Sequence, residues 1–205
     1  MNKITTIVFD NHGVITSSTK DGAMEQFARF LGVGYDEFER VWDTLEGDVD
    51  GGKITNEEFL RALMDKTGSH KDIESFRRLY FSSYYPIKDV QEFAKKLGKK
   101  YEIVLLTNFS DAFDEANKRW KLEKIFGKKI FVSGKLKMRK PHEDIYLYTL
   151  KKIGKKAEET VFIDDNPEFI ETAKRLGMHT ILFKNLKQVE KDLDDILEYQ
   201  TFPSS

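Results

Sequence analysis

The fold is decided by one short stretch near the start of the chain, Ile7-Val8-Phe9-Asp10-Asn11-His12-Gly13-Val14. Its β-branched and aromatic residues predict a buried strand, and Gly13 predicts a turn directly after that strand. The carboxylate of Asp10 therefore stands at the carboxyl end of a strand. Open parallel sheets bind their ligands at that edge, so the stretch predicts a functional site as well as a strand.

Five apolar runs in all predict strands of one sheet. They lie at residues 4–9, 101–106, 129–132, 160–163 and 180–183. The runs are continuous rather than alternating, which is typical of strands that are covered on both faces. Helix-like segments with apolar residues on one face separate the later runs. This alternation predicts an α/β fold, with a Rossmann-like parallel sheet flanked by helices.

The stretch between the first two runs has a different pattern. Met24, Phe27, Ala28 and Leu31 recur at the spacing of one helix face, and similar stripes follow them up to Tyr80. No convincing strand interrupts these stripes. We therefore expect an all-helical cap at residues 16–87, inserted after the first strand of a core formed by residues 1–15 and 88–205.

Composition argues against several classes of protein. The 205 residues carry a formal net charge of -1 and include no cysteine. A charge so close to zero provides no general attraction for nucleic acids or anionic membranes, and the missing cysteines exclude disulfides and thiolate metal sites. No apolar run approaches the roughly 20 residues of a membrane span. We expect a cytoplasmic monomer or homodimer that binds neither nucleic acid nor membrane.

Polar signatures follow four of the predicted strands. They are Asp10, Thr107-Asn108, Lys140-Pro141 and Asp164-Asp165. Because the carboxyl ends of parallel strands share one edge, three carboxylates, an ammonium and a hydroxyl should meet there. Crowded carboxylates repel one another unless a cation intervenes, and Mg²⁺ prefers such oxygen ligands. A carboxylate beside a metal and a lysine is suited to attack a phosphoryl group and form an aspartyl-phosphate.

These four signatures, in this order, resemble the motifs of the haloacid-dehalogenase-like superfamily of hydrolases. The match spans nearly the whole chain. The stretch Gly52-Lys53-Ile54-Thr55-Asn56-Glu57-Glu58-Phe59 and the triplet Arg139-Lys140-Pro141 are most similar to one branch of it. That branch holds sugar-phosphate phosphatases and the phosphatase-like domain of epoxide hydrolases. The resemblance implies a Mg²⁺-dependent phosphomonoester hydrolase that acts on a small phosphorylated metabolite.

The resemblance also implies a set of metal ligands. Asp10 would be the nucleophile and the first Mg²⁺ ligand, with the backbone carbonyl of His12 as the second ligand and Asp165 as the third. Asp164 would act through water or hold Lys140 in place.

A second set of residues would bind the phosphoryl group. The resemblance implies that the Thr107 hydroxyl and the Asn108 amide bind its oxygens, while Lys140 neutralises its charge. The backbone amides of Asn11 and His12 would line the same pocket.

The resemblance breaks at His12, where phosphatases of the family usually carry an aspartate that protonates the leaving oxygen and then activates water. In one hypothesis the imidazole takes over as general acid and base, since its ordinary pKa is about 6.5. In another, the acid/base is lost and the protein binds a phospho-ligand with impaired catalysis. In a third, the protein is a haloacid dehalogenase, because a halide leaves without a proton. The pair Asp164-Asp165 argues against the third, since dehalogenases lack the pair and use no Mg²⁺.

Overall fold

The computed structural model describes residues 3–201, except the side chains of residues 199–201. Five strands form one parallel sheet in the order β3-β2-β1-β4-β5. The strands are β1 (Thr6–Phe9), β2 (Glu102–Thr107), β3 (Ile130–Val132), β4 (Thr160–Asp164) and β5 (His179–Leu182). The predicted parallel α/β sheet is confirmed, and the strand ends differ from the sequence prediction by one or two residues.

α-Helices make up most of the rest of the described chain. Four follow β1, namely α1 (Ala23–Leu31), α2 (Tyr35–Asp50), α3 (Asn56–Lys66) and α4 (Ile73–Ser82). The others are α5 (Lys88–Leu97), α6 (Phe113–Trp120), α7 (Glu123–Phe126), α8 (Ser133–Leu136), α9 (Glu143–Ile153), α10 (Pro167–Arg175) and α11 (Leu186–Thr201). None of the helices in residues 3–201 is long and apolar enough to cross a membrane.

Successive strand residues point to opposite sides of the sheet, and apolar clusters cover both sides. In β1, Ile7 and Phe9 belong to one apolar cluster, whereas Val8 belongs to a second cluster on the other face. The central strands β2 and β4 alternate in the same way. Continuous apolar strands are therefore the expected sequence pattern for this sheet.

The two connections between the sheet and the helices α1–α4 run side by side. We call residues 15–17 and 85–87 the stem. The Ser17 N–H donates to the Tyr85 carbonyl at 2.8 Å, and the Ile87 N–H donates to the Ile15 carbonyl at 3.0 Å. The Ser17 hydroxyl also accepts from the Tyr85 N–H at 3.0 Å. The helical segment α1–α4 is thus joined to the sheet through two extended segments that are hydrogen-bonded to each other.

The helical insertion also rests directly on the core at a second place. Gly52, in the turn after α2, has a φ of +66° and lies so close to α8 that a Cβ would sit 2.3 Å from the Gly134 carbonyl oxygen. Nearby, the Asn56 N–H at the start of α3 donates to the Asp111 carboxylate at 2.8 Å. A side chain at residue 52 would therefore force the insertion away from the core.

Replacing Gly52 with alanine should lower the free energy of unfolding by more than the left-handed backbone alone explains. Gly68 is a matched control, because its φ is +64° and a Cβ there would have open space around it. We expect Gly68→Ala to cost about 1 kcal/mol through backbone strain. Gly52→Ala should cost about 1–3 kcal/mol more, since the Cβ overpacks the contact with Gly134. Urea unfolding of both variants measures the difference, and equal losses would contradict the close contact.

Candidate active site

Asp10 lies at the point where the strand order reverses. Strand β1 is hydrogen-bonded to β2 on one side and to β4 on the other, and the Asp10 N–H donates to the Ile163 carbonyl at 2.9 Å. The carboxyl ends of β2 and β4 bring Thr107 and Asp164 to the same edge. A crevice opens at this reversal point in open parallel sheets. The four signatures do meet at one edge of the sheet.

Lys140 is the centre of this edge. Its Nζ lies 2.6 Å from an oxygen of Asp10 and 2.6 Å from an oxygen of Asp164, and the side chain is fully buried. Burial opposes its charge, but the two carboxylates outweigh burial and raise the pKa of Lys140. The ammonium also lies over the ring of Phe169, 4.8 Å from the ring centre, in a cation–π contact. Lys140 is therefore held as a cation between two acids.

Three carboxylates at this edge could hold a metal ion. Asp10, Asp164 and Asp165 each offer an oxygen, and these oxygens lie within 4.8 Å of one another. Three carboxylates against the one ammonium of Lys140 leave two negative charges, which a divalent cation with oxygen ligands would balance. Burial, and then the Asp10 carboxylate, raises the pKa of Asp165 to about 6. The donor set fits Mg²⁺.

The backbone carbonyl of His12 is a further candidate ligand. Among residues 3–201, no backbone N–H outside the regular helices and strands donates to this carbonyl. The neighbouring carbonyl of Asn11, in contrast, accepts from three N–H groups, those of Val14, Ile15 and Thr16. Asn11 therefore fixes the turn after β1, while His12 keeps an acceptor available.

Gly13 allows Asp165 to approach this turn. Its φ is +82°, and a Cβ on it would lie 2.1 Å from an oxygen of the Asp165 carboxylate. Only glycine adopts this backbone without strain and also leaves this space. The glycine that marks the end of β1 in the sequence thus also makes room for a candidate metal ligand.

Asn108 holds the loop of Lys140 with its side chain. Its Nδ2 donates to the Lys140 carbonyl at 3.0 Å, and its Oδ1 accepts from the Lys140 N–H at 2.9 Å. The Ser133 hydroxyl braces the next residue by accepting from the Phe109 N–H at 2.9 Å. Sequence reasoning proposed the Asn108 amide as a donor to the phosphoryl group and did not predict these contacts with Lys140. The contacts depend on the packing of two distant loops, and no local pattern indicates them.

The ring of His12 lies in an aromatic environment. It stacks on Tyr84 with ring centres 4.5 Å apart and meets the edges of Phe109 and Trp120 at 5.3 and 5.5 Å. Its Nε2 is buried, and none of the described residues gives it a hydrogen-bond partner. Burial, followed by the nearby Lys140 ammonium, lowers the pKa of His12 to about 3. The imidazole is thus held in its neutral form.

A cavity of about 650 Å³ opens beside the carboxylates. The core lines it with Asp10, Lys140 and Arg139, and helix α2 lines the facing wall with Trp42 and several acidic residues. Trp42 lies at the cavity as well as in the apolar core.

Asp50 is the acidic residue at the C-terminal end of α2. Burial, and then the nearby Glu46, raises the pKa of Asp50 to about 8, although Arg139 opposes the shift. Sequence reasoning did not propose Asp50 as a site residue. Acidic residues that recur on one face of a predicted helix were the signal that could have indicated this wall.

Comparison with known proteins agrees with this geometry. A model of the haloacid dehalogenase-like hydrolases matches residues 4–177. D-ribitol-5-phosphate phosphatase of Bacteroides thetaiotaomicron is 26% identical over 204 residues, which cover 95% of this chain and 98% of that protein. A drimenol cyclase of Aspergillus calidoustus is 41% identical over 68 residues, but this match covers 33% of the chain and only 13% of the cyclase.

A solved structure shows the same fold. It is a haloacid dehalogenase-family enzyme of Bacteroides thetaiotaomicron in complex with magnesium and inorganic phosphate. Its TM-score is 0.70 at 23% identity, with 88% of this chain and 94% of that chain covered. The family match covers most of the chain, and the strand order and the carboxylate edge agree with it. The chain belongs to the haloacid dehalogenase-like hydrolases.

Proposed function

We propose that this protein is a Mg²⁺-dependent hydrolase of phosphomonoesters, acting on a small phosphorylated metabolite. The observation that carries the proposal is the Lys140 ammonium, held between Asp10 and Asp164 beside the carboxylate of Asp165. This arrangement combines a carboxylate nucleophile with fixed positive charge and a cation site. Further support comes from the ribitol-phosphate phosphatase that resembles nearly the whole chain.

The proposed mechanism begins at Asp10. One oxygen of its carboxylate attacks phosphorus, the bond to the leaving oxygen breaks, and an aspartyl-phosphate forms, while the leaving oxygen takes a proton from water to give the alcohol. Lys140 neutralises charge on the phosphoryl oxygens, and the Thr107 hydroxyl and the Asn108 amide bind those oxygens. Water then hydrolyses the aspartyl-phosphate and restores the Asp10 carboxylate.

Mg²⁺ would be held by Asp10, by Asp165 and by the backbone carbonyl of His12. When bound, it would supply positive charge that offsets the crowded carboxylates and the phosphoryl group. Asp164 takes a different role in this proposal, because its buried carboxylate accepts from Lys140 and from the Asn166 N–H at 2.9 Å. It positions Lys140.

We also propose that residues 16–87 act as a cap on a core formed by residues 1–15 and 88–205. Helix α2 forms one wall of the cavity, and the core forms the other. The stem and the contact at Gly52 hold this helical segment over the carboxylate edge. A cap in this position excludes bulk water from the reacting phosphoryl group.

Phosphate release tests this function directly. We expect release from p-nitrophenyl phosphate when Mg²⁺ is present and loss of release when EDTA removes the metal, with recovery on adding Mg²⁺ again. The same preparation should release no chloride from 2-chloropropionate. Chloride release that needs no metal, without phosphate release, would overturn the proposal in favour of the dehalogenase hypothesis.

A second candidate is a protein that binds phosphate esters and turns them over slowly. The packing of His12 favours it, because the ring occupies the position of the usual acid and is enclosed by Tyr84, Phe109 and Trp120. A general acid/base accelerates such reactions by about 10²–10⁴-fold. A site without one keeps its metal and phosphate contacts but loses this factor.

Replacing His12 with aspartate should separate the two candidates. His12→Asn is the matched control, because aspartate and asparagine are nearly equal in size and only aspartate can donate and accept a proton as an acid and a base. If the wild-type site lacks an acid, His12→Asp should exceed both the wild type and His12→Asn in kcat by at least about tenfold. If the wild-type imidazole transfers the proton, neither variant should exceed the wild type. Thermal unfolding of both variants controls for lost packing.

A further inference from the structure

We propose that helix α2 selects the leaving group of the substrate. The geometry points to phosphomonoesters whose other end carries hydroxyl or ammonium donors and no second negative charge. This inference rests on the proposed phosphatase function and adds the class of substrate. It excludes bisphosphates and phosphorylated carboxylic acids as preferred substrates.

A row of acidic side chains faces the cavity from α2. Glu39, Asp43, Glu46 and Asp50 all line it, and we call these four residues the acidic row. Their spacing of four, three and four residues puts them on one face of the helix. At a rise of 1.5 Å per residue, the row extends for about 16 Å. It is therefore long enough to meet every part of a small sugar or polyol chain.

Aromatic donors hold two members of the row in place. The Tyr35 hydroxyl donates to Oε1 of Glu39 at 3.0 Å, and the Trp42 indole N–H donates to Oε1 of Glu46 at 3.0 Å. Both aromatic side chains also line the cavity. Within the described part of the chain, no member of the row forms an ion pair. Two members of the row are thus oriented acceptors. Because burial raises the pKa of Asp50, the unpaired negative charge of the row lies mainly on Glu39, Asp43 and Glu46.

The cations around the cavity lie on other elements. Lys140 forms ion pairs with Asp10 and Asp164, and Lys20 is an exposed residue before α1. Arg139 lies against Gly47 on α2, close to the C-terminal end of the row. Helix α2 itself places no cation at the cavity. Positive charge therefore lies at Lys140, where the phosphoryl group would bind, and at Arg139 beside the C-terminal end of the row. Glu39, Asp43 and Glu46 present negative charge to the rest of the ligand.

This division of charge determines which leaving groups fit. A second phosphate or a carboxylate would be placed beside carboxylates of the same sign, which costs affinity and favours other ligands. Hydroxyl and ammonium groups instead find acceptors that are already oriented by Tyr35 and Trp42. The discrimination comes from repulsion as well as from attraction.

A matched pair of substrates tests the inference. Sorbitol 6-phosphate and 6-phosphogluconate share one six-carbon skeleton, and only the second carries a carboxylate at the far end. We expect the wild-type protein with Mg²⁺ to prefer sorbitol 6-phosphate in kcat/KM by at least about tenfold at low salt, with a smaller ratio at high salt. Phosphoethanolamine and phosphoglycolate form a second pair, in which an ammonium ester is compared with a carboxylate ester. The size of the preference in each pair shows whether the row favours ammonium or hydroxyl groups more.

Two glutamine substitutions on α2 locate the effect. Glu46→Gln removes the charge but keeps an oxygen that accepts from Trp42, so it should reduce the preference by about threefold. Glu37→Gln is the control, because Glu37 is exposed, lies on the opposite face of α2 and does not line the cavity. The control should keep the wild-type ratio.

The outcomes separate this inference from the proposed function. Release of phosphate from p-nitrophenyl phosphate, together with equal kcat/KM for the two six-carbon esters, would overturn the inference and leave the phosphatase standing. Calorimetry of Asp10→Asn with each ester and Mg²⁺ provides a measurement without turnover. Tighter binding of sorbitol 6-phosphate supports the acidic row even if catalysis is slow, and equal or reversed affinities contradict it.

Discussion

Asp10→Asn is expected to lower phosphate release by about 10³-fold or more, the largest effect of any single substitution on activity. The amide oxygen is a far weaker nucleophile than the carboxylate, so the aspartyl-phosphate does not form. The amide also removes one of the charges that would hold Mg²⁺. The measurement is steady-state phosphate release at saturating substrate, with thermal unfolding as a check on the fold.

Asparagine at residue 10 keeps an oxygen that accepts from Lys140, so the variant should remain folded. Asp194→Asn is a suitable control, because Asp194 is exposed on α11 and lies outside the cavity. It should keep wild-type activity. An Asp10→Asn variant that retained more than a tenth of wild-type turnover would show that another group attacks phosphorus, and the proposed mechanism would be wrong.

Lys140→Met should have the largest effect on stability. Removing the ammonium leaves the buried carboxylates of Asp10 and Asp164 side by side without compensation. Breaking a buried ion pair from one side typically costs 3–5 kcal/mol, and we expect a loss of about that size at neutral pH. Activity should also fall, though by less than in Asp10→Asn, since the phosphoryl oxygens lose their neutralising charge. Urea unfolding at fixed Mg²⁺ concentration measures the loss of stability.

A second substitution makes this test specific. Adding Asp164→Asn to Lys140→Met removes one of the two uncompensated charges, so the double variant should be more stable than Lys140→Met alone. A double-mutant cycle then gives a coupling energy that differs from zero. Simple addition of the two single losses would mean that Lys140 contributes by packing alone.

The sheet could be predicted from sequence because its strands are buried on both faces. A strand such as Ile7-Val8-Phe9 is apolar without interruption, and this pattern is visible without any knowledge of the neighbours. The meeting of the polar residues at one edge could be predicted on the same grounds. Asp10 follows β1, Asp164 ends β4 and Lys140 lies in the loop between α8 and α9, and the shared edge of a parallel sheet brings them together.

Other parts of the site depend on contacts between distant segments. The ring of His12 is enclosed by Tyr84, Phe109 and Trp120, which come from three separate parts of the chain. Sequence left open whether this ring carries a proton, since an isolated histidine titrates near neutral pH. The side chain of Asn108 is a similar case, because its partner is the backbone of Lys140 on another loop.

The stem connects the helical segment mechanically to the nucleophile. Tyr84 immediately precedes the stem residue Tyr85. The ring of Tyr84 stacks on the ring of His12, which is two residues from Asp10. A displacement of the stem relative to the sheet therefore also moves the turn that holds the reactive carboxylate. Such linkage is reciprocal. A ligand group bound against the helices and one bound at the turn would therefore change each other's affinity by the same factor.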